Sequence, residues 1–203
     1  AERVVGVPGV RRLLDGEVVT HSGRVEVDRA RLWSLPDVTP ALMATATSTA
    51  TATWAAGWAD GLVTVGTTVE EVTPLLDAYR SAGGRGPAAL QIHLAHGETE
   101  ADASALVREQ WLHGVVTPPT TWDVATPEEF VALSRAGGDP SDEELRAAVV
   151  TSSDVGELAG RVADLAAVGF DRVYLHDIST DQLGYLAGLA PELLARLRPL
   201  LPS

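Results

Sequence analysis

The chain has 203 residues, of which 45% are hydrophobic, and it carries a formal net charge of −13. This hydrophobic content is typical of a globular protein, and the length suffices for one large domain with a real core. All 15 basic residues are Arg, and the acidic balance argues against binding of nucleic acid or anionic membranes, because both need a dense positive surface. The absence of Cys excludes disulfides, thiolate metal sites and Cys nucleophiles.

The sequence predicts neither a membrane span nor an export signal. No apolar run approaches the roughly 20 residues that are needed to cross a bilayer. The first residues, AERVVGVPGVRRLL, lack the basic head, apolar middle and small-residue cleavage site of a signal peptide. We therefore expect a soluble, cytoplasmic protein that binds neither nucleic acid nor membrane.

The first part of the chain predicts a helix and a β-hairpin. Residues 3–17, RVVGVPGVRRLLDGE, look like the end of a helix whose strand lies outside this sequence. Arg11 and Arg12 are expected on the solvated face of that helix. Residues 17–33 predict a hairpin that turns at a Ser-Gly pair, and we interpret it as an insertion on a larger scaffold.

Four short apolar runs predict strands, and each is followed by a segment with helical spacing. The runs are rich in β-branched residues and are too short for helices. Strand followed by helix, four times over, is typical of βα units with a parallel sheet. The predicted strands are 40–46, 61–66, 88–96 and 172–178, and the helices that follow them are 50–59, 68–84, 99–116 and 181–201.

Four βα units make up half of an eight-stranded (β/α)8 barrel. An open four-stranded sheet would leave bare edges, and such edges invite pairing. The third and fourth units are separated by residues 117–153, which predict a helical insertion, and by a long helix at 154–169. We predict an α/β fold in which a half-barrel forms a single domain over residues 1–203.

Several blocks of the sequence, taken in order, resemble one family. Residues 10–36, VRRLLDGEVVTHSGRVEVDRARLWSLP, contain a helix end of the form L-x-x-G-E-x-V and then the hairpin. Residues 44–66, ATATSTATATWAAGWADGLVTVG, contain a strand, a small-residue turn, a helix and the block W-A-D-G-L-V-T-V-G. GFDRVYLHDI (169–178) and PELLARLRP (191–199) resemble a final strand and a closing helix. This series is similar to the luciferase-like flavin and deazaflavin oxidoreductases, most of all to their glucose-6-phosphate-dehydrogenase-like branch and its flavin-using relatives.

The resemblance implies a (β/α)8 barrel of which this chain matches the C-terminal half, from about residue 4 to residue 199. It also implies that the family's catalytic groups, including a His on an early strand, lie mostly in the other half. The chain would then be a fragment, a subunit whose partner supplies the N-terminal half-barrel, or a reduced form that pairs with itself.

The run ATATSTATATW (44–54) predicts a strand end, a turn and the first turn of a helix. A phosphate fits such a place, because the first helical turn offers unpaired N–H groups and the positive end of the dipole. The alternative is that the hydroxyls only cap the helix. The resemblance implies that the cofactor phosphate binds at residues 47–51, with Thr47, Ser48, Thr49 and Thr51 as contacts.

The resemblance also bears on which cofactor binds. The deazaflavin branch has A-S-G-P where this chain has Ala46-Thr47-Ser48-Thr49, so its Gly and Pro are lost. Ser and Thr at this place resemble the bacterial luciferase version of the turn. The expected cofactor is therefore FMN rather than coenzyme F420.

The other strand ends supply further candidates, because barrel sites gather at the C-terminal ends of strands. The end of the second predicted strand (61–66) supplies three candidate cofactor contacts, Thr64, Gly66 and Thr67. The alternative for Gly66 is that it only permits the turn. Acidic pairs such as Glu70-Glu71 in the first turns of helices complement the helix dipole and need no further function.

Two histidines are weak catalytic candidates. His93 lies on the same face of its strand as Gln91, whereas His96 lies on the opposite face, so the two histidines do not form a metal pair and no metal site is predicted. His176 precedes Asp177 in the last strand, and neighbours in a strand point opposite ways, which argues against a His-Asp dyad. The alternative for each is a His that is satisfied in the core or at the rim.

Two functions of different classes remain open. The first is a luciferase-like oxidoreductase or monooxygenase, as a fragment or subunit, that binds a flavin-type cofactor across the strand ends. The second is a non-catalytic half-barrel module that pairs with another chain or with itself. The sequence does not indicate the substrate, and this chain alone is expected to lack the catalytic half.

Overall fold

The structure, a computed structural model, describes residues 6–23, 25–115, 124–136 and 138–201. It begins with helix α1 (Gly6–Leu14) and an antiparallel hairpin of strands β1 (Val19–His21) and β2 (Val27–Ala30). The hairpin predicted within residues 17–33 is therefore confirmed. Its Ser-Gly pair lies in the connection between the two strands, as the sequence indicates.

A parallel sheet follows, and its strands alternate with helices along the chain. The strands are β3 (Met43–Thr45), β4 (Gly61–Val65), β5 (Ala88–His96), β6 (Val150–Ser152) and β7 (Arg172–Asp177). The helices are α2 (Thr49–Ala55), α3 (Val69–Ser81), α4 (Glu100–Gln110), α5 (Pro127–Arg135), α6 (Asp142–Ala148), α7 (Val155–Ala166), α8 (Gln182–Gly184) and α9 (Ala190–Leu197). A 3-10 turn at Leu112–Val115 follows α4, and a π-helical turn at Tyr185–Leu189 joins α8 to α9. None of the helices in these described ranges is long and apolar enough to cross a membrane.

The sheet has the strand order of consecutive βα units. β3 pairs with β4, β4 with β5, and β5 with β7, all in parallel. Leu94 of β5 is registered with Val150 of β6 and with Asp177 of β7. The two strands therefore flank β5 on opposite edges, and β6 continues the edge that β4 occupies lower down. The predicted half-barrel of four βα units is confirmed.

One strand escapes sequence-based prediction. Residues 117–153 were expected to be a helical insertion, and within the described ranges they do contain α5 and α6, but they also contain β6. All three residues of β6 are buried, and three residues are too few to show an alternating pattern. Residues 117–123 and residue 137 of the insertion lie outside the described ranges.

The two faces of the sheet differ in burial. On one face, side chains such as Leu62, Leu90 and Ile92 are fully buried against α2, α3, α7 and α9. The other face, called the open face below, carries mostly exposed or partly buried side chains, together with the buried Ala89 and Ala95 of β5. The register arranges its members in cross-strand rows, Thr45–Val63, Val65–Gln91–Tyr174 and His93–His176, with Arg172 beside the first row.

An ion pair ties α1 to the start of the sheet. The guanidinium of Arg11 donates to both carboxylate oxygens of Asp60 at 2.9 and 2.8 Å, and also to the carbonyl of Trp58 at 2.9 Å. Asp60 directly precedes β4, and it accepts the backbone N–H of Leu42, next to β3, at 2.7 Å. The expectation of a solvated Arg11 is therefore wrong, because the side chain fastens α1 to two strand starts.

A second ion pair repeats this arrangement across the sheet. Asp171 directly precedes β7, and it accepts the backbone N–H of Ala88, the first residue of β5, at 2.7 Å. Arg80 of α3 donates to Asp171 at 3.1 Å and to the carbonyl of Gly86 at 2.7 Å. A side chain at Gly86 would collide with the carbonyl of Asp60, so the two ion pairs meet at a closely packed sheet end. In barrels this N-terminal end of the strands serves stability rather than catalysis.

The Arg11–Asp60 pair yields a stability prediction. Asp60→Asn keeps the shape of the side chain but leaves Arg11 without its charged partner. We expect the free energy of unfolding in urea to fall by about 1 kcal/mol at pH 7, because bidentate pairs at partly exposed sites contribute near the upper end of the surface range. The pKa of Asp60 is held below its usual value, first by the hydrogen bonds from Arg11 and from the Leu42 N–H. The difference from wild type should therefore vanish as the pH falls through the pKa of Asp60.

Asp28→Asn is the matched control for this prediction. Among the described residues, Asp28 forms an ion pair with its neighbour Arg29 alone, and the two side chains are 78% and 80% exposed. We expect no measurable change in stability from this variant. Equal effects of the two substitutions would contradict the role given to Asp60.

Candidate functional site

The turn between β3 and α2 is a capped helix start with exposed hydroxyls. Ser48 is the N-cap of α2, and its Oγ accepts the N–H of Thr51 at 3.2 Å and donates to the Oγ1 of Thr51 at 3.0 Å. Thr47, Ser48 and Thr49 are exposed, and Thr51 is half-buried. The helix cap, which was expected as the alternative to phosphate binding, is therefore present. The hydroxyl residues beside it are exposed to solvent at the N-terminus of α2.

The helices that follow the other strands of the sheet begin differently. At α3, the carboxylate of Glu71 accepts the N–H of Thr67 at 3.0 Å and that of Thr68 at 3.3 Å. Asp102 at α4, Asp154 at α7 and Asp181 at α8 likewise accept backbone N–H groups at or near the helix start. These N–H donors lower the pKa of Asp154, which illustrates how such a helix start favours negative charge.

Helix α2 has no acidic residue in its first turn. Among the described helices that directly follow a strand of the sheet, it is therefore the one whose N-terminus meets no carboxylate of its own. An external anion would compete there with the Ser48 hydroxyl, which accepts the N–H of Thr51, whereas at α3 it would have to displace the carboxylate of Glu71. This contrast makes the turn at residues 47–51 the best candidate for an anion site.

The three candidates from β4 have structural partners. Thr64 is 3% exposed on the helix-covered face, and its hydroxyl donates to the carbonyl of Ala46 at 2.8 Å, which braces the turn before α2. A side chain at Gly66 would collide with Val72 of α3, so this position requires glycine for packing. The hydroxyl of Thr67 donates to the carbonyl of Ala147 at 2.7 Å. Whether Gly66 and Thr67 also contact a cofactor stays a prediction.

The two histidine candidates meet on the open face. His93 of β5 and His176 of β7 are directly opposite each other in the parallel register, and their Nδ1 atoms are 2.8 Å apart. Because the two histidines are 83 residues apart in the sequence, no local sequence pattern could predict this contact. His93 is partly buried and His176 is exposed.

An aromatic cluster that the sequence interpretation missed surrounds His93. The ring of Trp111 lies between His93 and His113, with centroid distances of 4.5 and 4.6 Å, and it meets His176 edge-on at 5.4 Å. His113 in turn contacts Phe130 of α5 at 5.5 Å. The signal in the sequence was Trp111 with His113 two residues on, at the end of the helix predicted over residues 99–116.

Burial disfavours the charged forms of His93 and His113. It lowers the pKa of His93 to about 4, and the neighbouring His176 and His113 act in the same direction. Burial also lowers the pKa of His113. At pH 7 the imidazole of His93 is therefore an uncharged group, able to accept a proton or a hydrogen bond.

The remaining polar candidates lie elsewhere. His96 faces away from the open face, with its Nδ1 at 2.9 Å from the carbonyl of Ser152. Asp177 is 4% exposed and accepts the N–H of Ser179 at 3.2 Å, so it forms no dyad with His176. The described residues contain no group of three or more His, Cys, Asp or Glu side chains that could hold a metal ion.

These features define the class of protein. A parallel half-barrel of four βα units carries a helix start without a carboxylate and a pair of facing imidazoles toward the C-terminal ends of its strands, which is where (β/α)8 barrels place their sites. Residues 8–172 match the family model described as luciferase-like monooxygenase. The chain therefore belongs to the luciferase-like monooxygenase family.

Solved structures share the fold. An F420-dependent secondary alcohol dehydrogenase in complex with an F420-acetone adduct matches with a TM-score of 0.80 and 19% identity, covering 96% of this chain and 61% of that one. The F420-dependent tetrahydromethanopterin reductase from Methanopyrus kandleri matches with a TM-score of 0.61 and 14% identity, covering 83% and 55%. The FMN complex of the oxygenating constituent of 3,6-diketocamphane monooxygenase from Pseudomonas putida matches with a TM-score of 0.56 and 14% identity, covering 100% and 62%.

These identities establish similarity of fold alone. The chain spans less than two thirds of the length of each of the three proteins. A search of curated protein sequences finds no match.

The depressed pKa of His93 predicts a pH dependence of stability. Between pH 6.5 and about 4 the unfolded chain binds a proton at this residue that the folded chain does not bind. The free energy of unfolding should therefore fall as the pH is lowered through this window. In His93→Gln this part of the dependence should be lost, which urea unfolding at a series of pH values would measure.

His21→Gln serves as the control, because His21 lies in the hairpin and away from the aromatic cluster. Its pH dependence should match that of wild type. A His93→Gln profile parallel to that of wild type across this window would show that burial does not hold His93 neutral.

Proposed function

We propose that this chain is the cofactor-phosphate-binding half-barrel of a flavin-type oxidoreductase or monooxygenase, with the phosphate at the turn of residues 47–51. Membership of the luciferase-like family supports the general class. Three proteins of similar fold are described with F420 or FMN, which supports a cofactor of this type. The reaction and the substrate of the complete protein are part of the proposal.

The observation that carries this proposal is the start of α2. Its first N–H groups have no partner within the helix, its first turn has no carboxylate, and exposed hydroxyls of Thr47, Ser48 and Thr49 stand beside it. A phosphate there would gain donors from backbone and hydroxyl groups together. Thr64 would support the phosphate turn by donating its hydroxyl to the carbonyl of Ala46. Gly66 and Thr67 would line the adjacent side of the cofactor site.

FMN is the cofactor that the turn favours, and coenzyme F420 is the second candidate. The turn Ala46-Thr47-Ser48-Thr49 has hydroxyls where the deazaflavin branch has Gly and Pro, and hydroxyls suit a simple phosphate ester. When bound, the flavin ring supplies hydride or oxygen chemistry, while the protein binds and orients it.

The edges of the sheet support a second part of the proposal. Within the described residues, β3 pairs only with β4, and β7 pairs only with β5, so each strand has one free edge. Beside β7 lies a mainly apolar cavity of about 320 Å³, lined by Phe170, Val173 and Leu175 and by side chains of α7 and α9, with the charged Asp171, Arg172 and Arg198 also in its lining. We propose that further βα units complete the barrel at these edges, from the rest of a longer chain, from another chain or from a second copy. A purely structural assembly module is the alternative function that this feature favours.

The phosphate assignment predicts the behaviour of Ser48→Asp. Asp is as good an N-cap as Ser, so α2 should form normally. The carboxylate would repel a phosphate nearby, and the affinity for FMN should fall roughly tenfold or more at low salt. Fluorescence titration with FMN measures this effect. Riboflavin, which lacks the phosphate, should bind wild type and variant equally.

Ser141→Asp is the control, because the Oγ of Ser141 is likewise an N-cap acceptor, for the N–H of Glu144 in α6, and lies outside the proposed phosphate turn; unlike Ser48, it also donates to the carboxylate of Glu144. Its affinity for FMN should equal that of wild type. If Ser48→Asp binds FMN as tightly as wild type does, the phosphate lies elsewhere. A parallel titration with coenzyme F420 decides between the two cofactors.

The completed barrel predicts a yellow species larger than a single chain. Light scattering of the purified protein, with and without FMN, should show a mass above that of one chain, with flavin absorbance in the same fraction. A colourless monomer would contradict the enzyme function for this chain. A colourless dimer would instead favour the assembly module.

A further inference from the structure

The segment that joins the hairpin to the sheet is apolar and exposed. Residues 31–40 lie between β2 and β3, and all ten of them are exposed to solvent. They include Leu32, Trp33, Leu35 and Val38, of which Trp33 is 86% exposed and Val38 is 81% exposed. Connecting segments on a protein surface are usually polar, and exposed apolar groups that lie close together mark a surface that another molecule covers.

This segment lies at the N-terminal ends of the strands. Arg11, in the last turn of α1, binds Asp60, which directly precedes β4, so the end of α1 is located there. Leu35 reaches the same place, because its Cδ1 is 2.8 Å from the position that a Cβ at Gly16 would take, two residues beyond α1. The units that complete the proposed barrel would instead pair alongside β3 and β7, and the proposed phosphate turn follows the C-terminal end of β3.

Trp33 is held in one orientation although it is exposed. The guanidinium of Arg31 lies over its ring, 4.9 Å from the ring centroid. A cation over one face of an indole fixes the ring and leaves the rest of its apolar surface open to a partner. Trp is also the residue type that most often dominates the binding energy of an interface.

The distribution of charge indicates which partner fits. Residues 1–40 contain six Arg and six acidic residues, so their net charge is zero, and the whole charge of −13 is carried by residues 41–203. Two copies of so acidic a chain repel each other when other parts of their surfaces meet. The neutral part of the chain, with charges of both signs such as Arg31 and Asp37, is where a second copy can approach with the least repulsion. A basic partner would favour the acidic remainder instead.

We propose that residues 31–40 form a self-association surface, that a second copy of this chain covers it, and that Trp33 is the central contact. The same segment of both copies would meet around a twofold axis, which allows opposite charges of the two copies to pair. This contact is distinct from the completion of the barrel at the edges of β3 and β7. It also does not depend on the function proposed above.

Sedimentation velocity of the 203-residue chain over a range of micromolar concentrations tests the contact. We expect a dimer in wild type. Trp33→Glu places a charge at the centre of the contact and should raise the dissociation constant roughly tenfold or more. Because Trp33 is exposed and lies outside the helices and strands, circular dichroism should show an unchanged fold. A wild type that stays monomeric, or a variant that dimerises like wild type, would overturn the proposal.

Leu183→Glu is the matched control. Leu183 lies in α8, within the acidic part of the chain, and it is 80% exposed, so the substitution adds the same charge at a similarly exposed apolar residue. Its dissociation constant should equal that of wild type. A loss of association as large as in Trp33→Glu would show that the added charge, or another surface, governs the contact, and would overturn the role of Trp33.

The dependence on salt provides a second test. Salt screens the repulsion between the acidic parts of two copies, whereas a neutral, apolar contact is little affected. The dissociation constant of wild type should therefore fall as sodium chloride is added. Weaker association at higher salt would show that ion pairs hold the copies together, and would overturn an apolar contact.

The outcomes separate this inference from the proposed function. The affinity for FMN should be the same in Trp33→Glu as in wild type, because the self-association surface and the phosphate turn lie at opposite ends of the strands. Dissociation by Trp33→Glu together with no FMN binding by wild type would keep the self-association surface and overturn the cofactor site. Association and FMN binding that are both unchanged in Trp33→Glu would overturn the surface and keep the cofactor site.

Discussion

The structure depends on two Arg–Asp pairs at the N-terminal ends of the strands. Each carboxylate directly precedes a strand, accepts an N–H at or next to the start of the neighbouring strand, and is held by an Arg from a helix. Asp60 in this way ties β4 to β3, and Asp171 ties β7 to β5. The alignment of the sheet is thus set at one end. The opposite ends, where the hydroxyl turn of α2 lies, are free to vary in sequence without disturbing the register.

Much of the fold could be predicted because its signals are local. Short apolar runs located the four main strands, and capping residues located the helix starts, such as Thr68 with Glu71 at α3. The role of Arg11 could not be predicted, since its partner Asp60 is 49 residues away. Strand β6 escaped because three buried residues have no readable period.

The candidate site also combines local features, which the sequence could predict, with long-range contacts, which it could not. The cap at Ser48 and the acidic first turns of the other helices are local features, so the contrast between them is visible in the amino-acid sequence itself. Thr64, a candidate cofactor contact from the sequence, has a structural role that the sequence does not indicate, because its hydroxyl donates to the carbonyl of Ala46, 18 residues away. The approach of His93 to His176 depends on the pairing of two distant strands, which only the tertiary structure reveals.

The unequal free edges have a consequence for self-association. The free edge of β3 has three residues and that of β7 has six, so the two edges are different surfaces. A contact between β7 of one copy and β3 of the next would therefore be heterologous, or head-to-tail. Such contacts form an endless filament unless rotation closes the ring. The four strands that lie side by side, β3, β4, β5 and β7, would from two copies reach eight, the number at which a parallel barrel closes. The curvature of the sheet would then decide between a finite particle and a fibre.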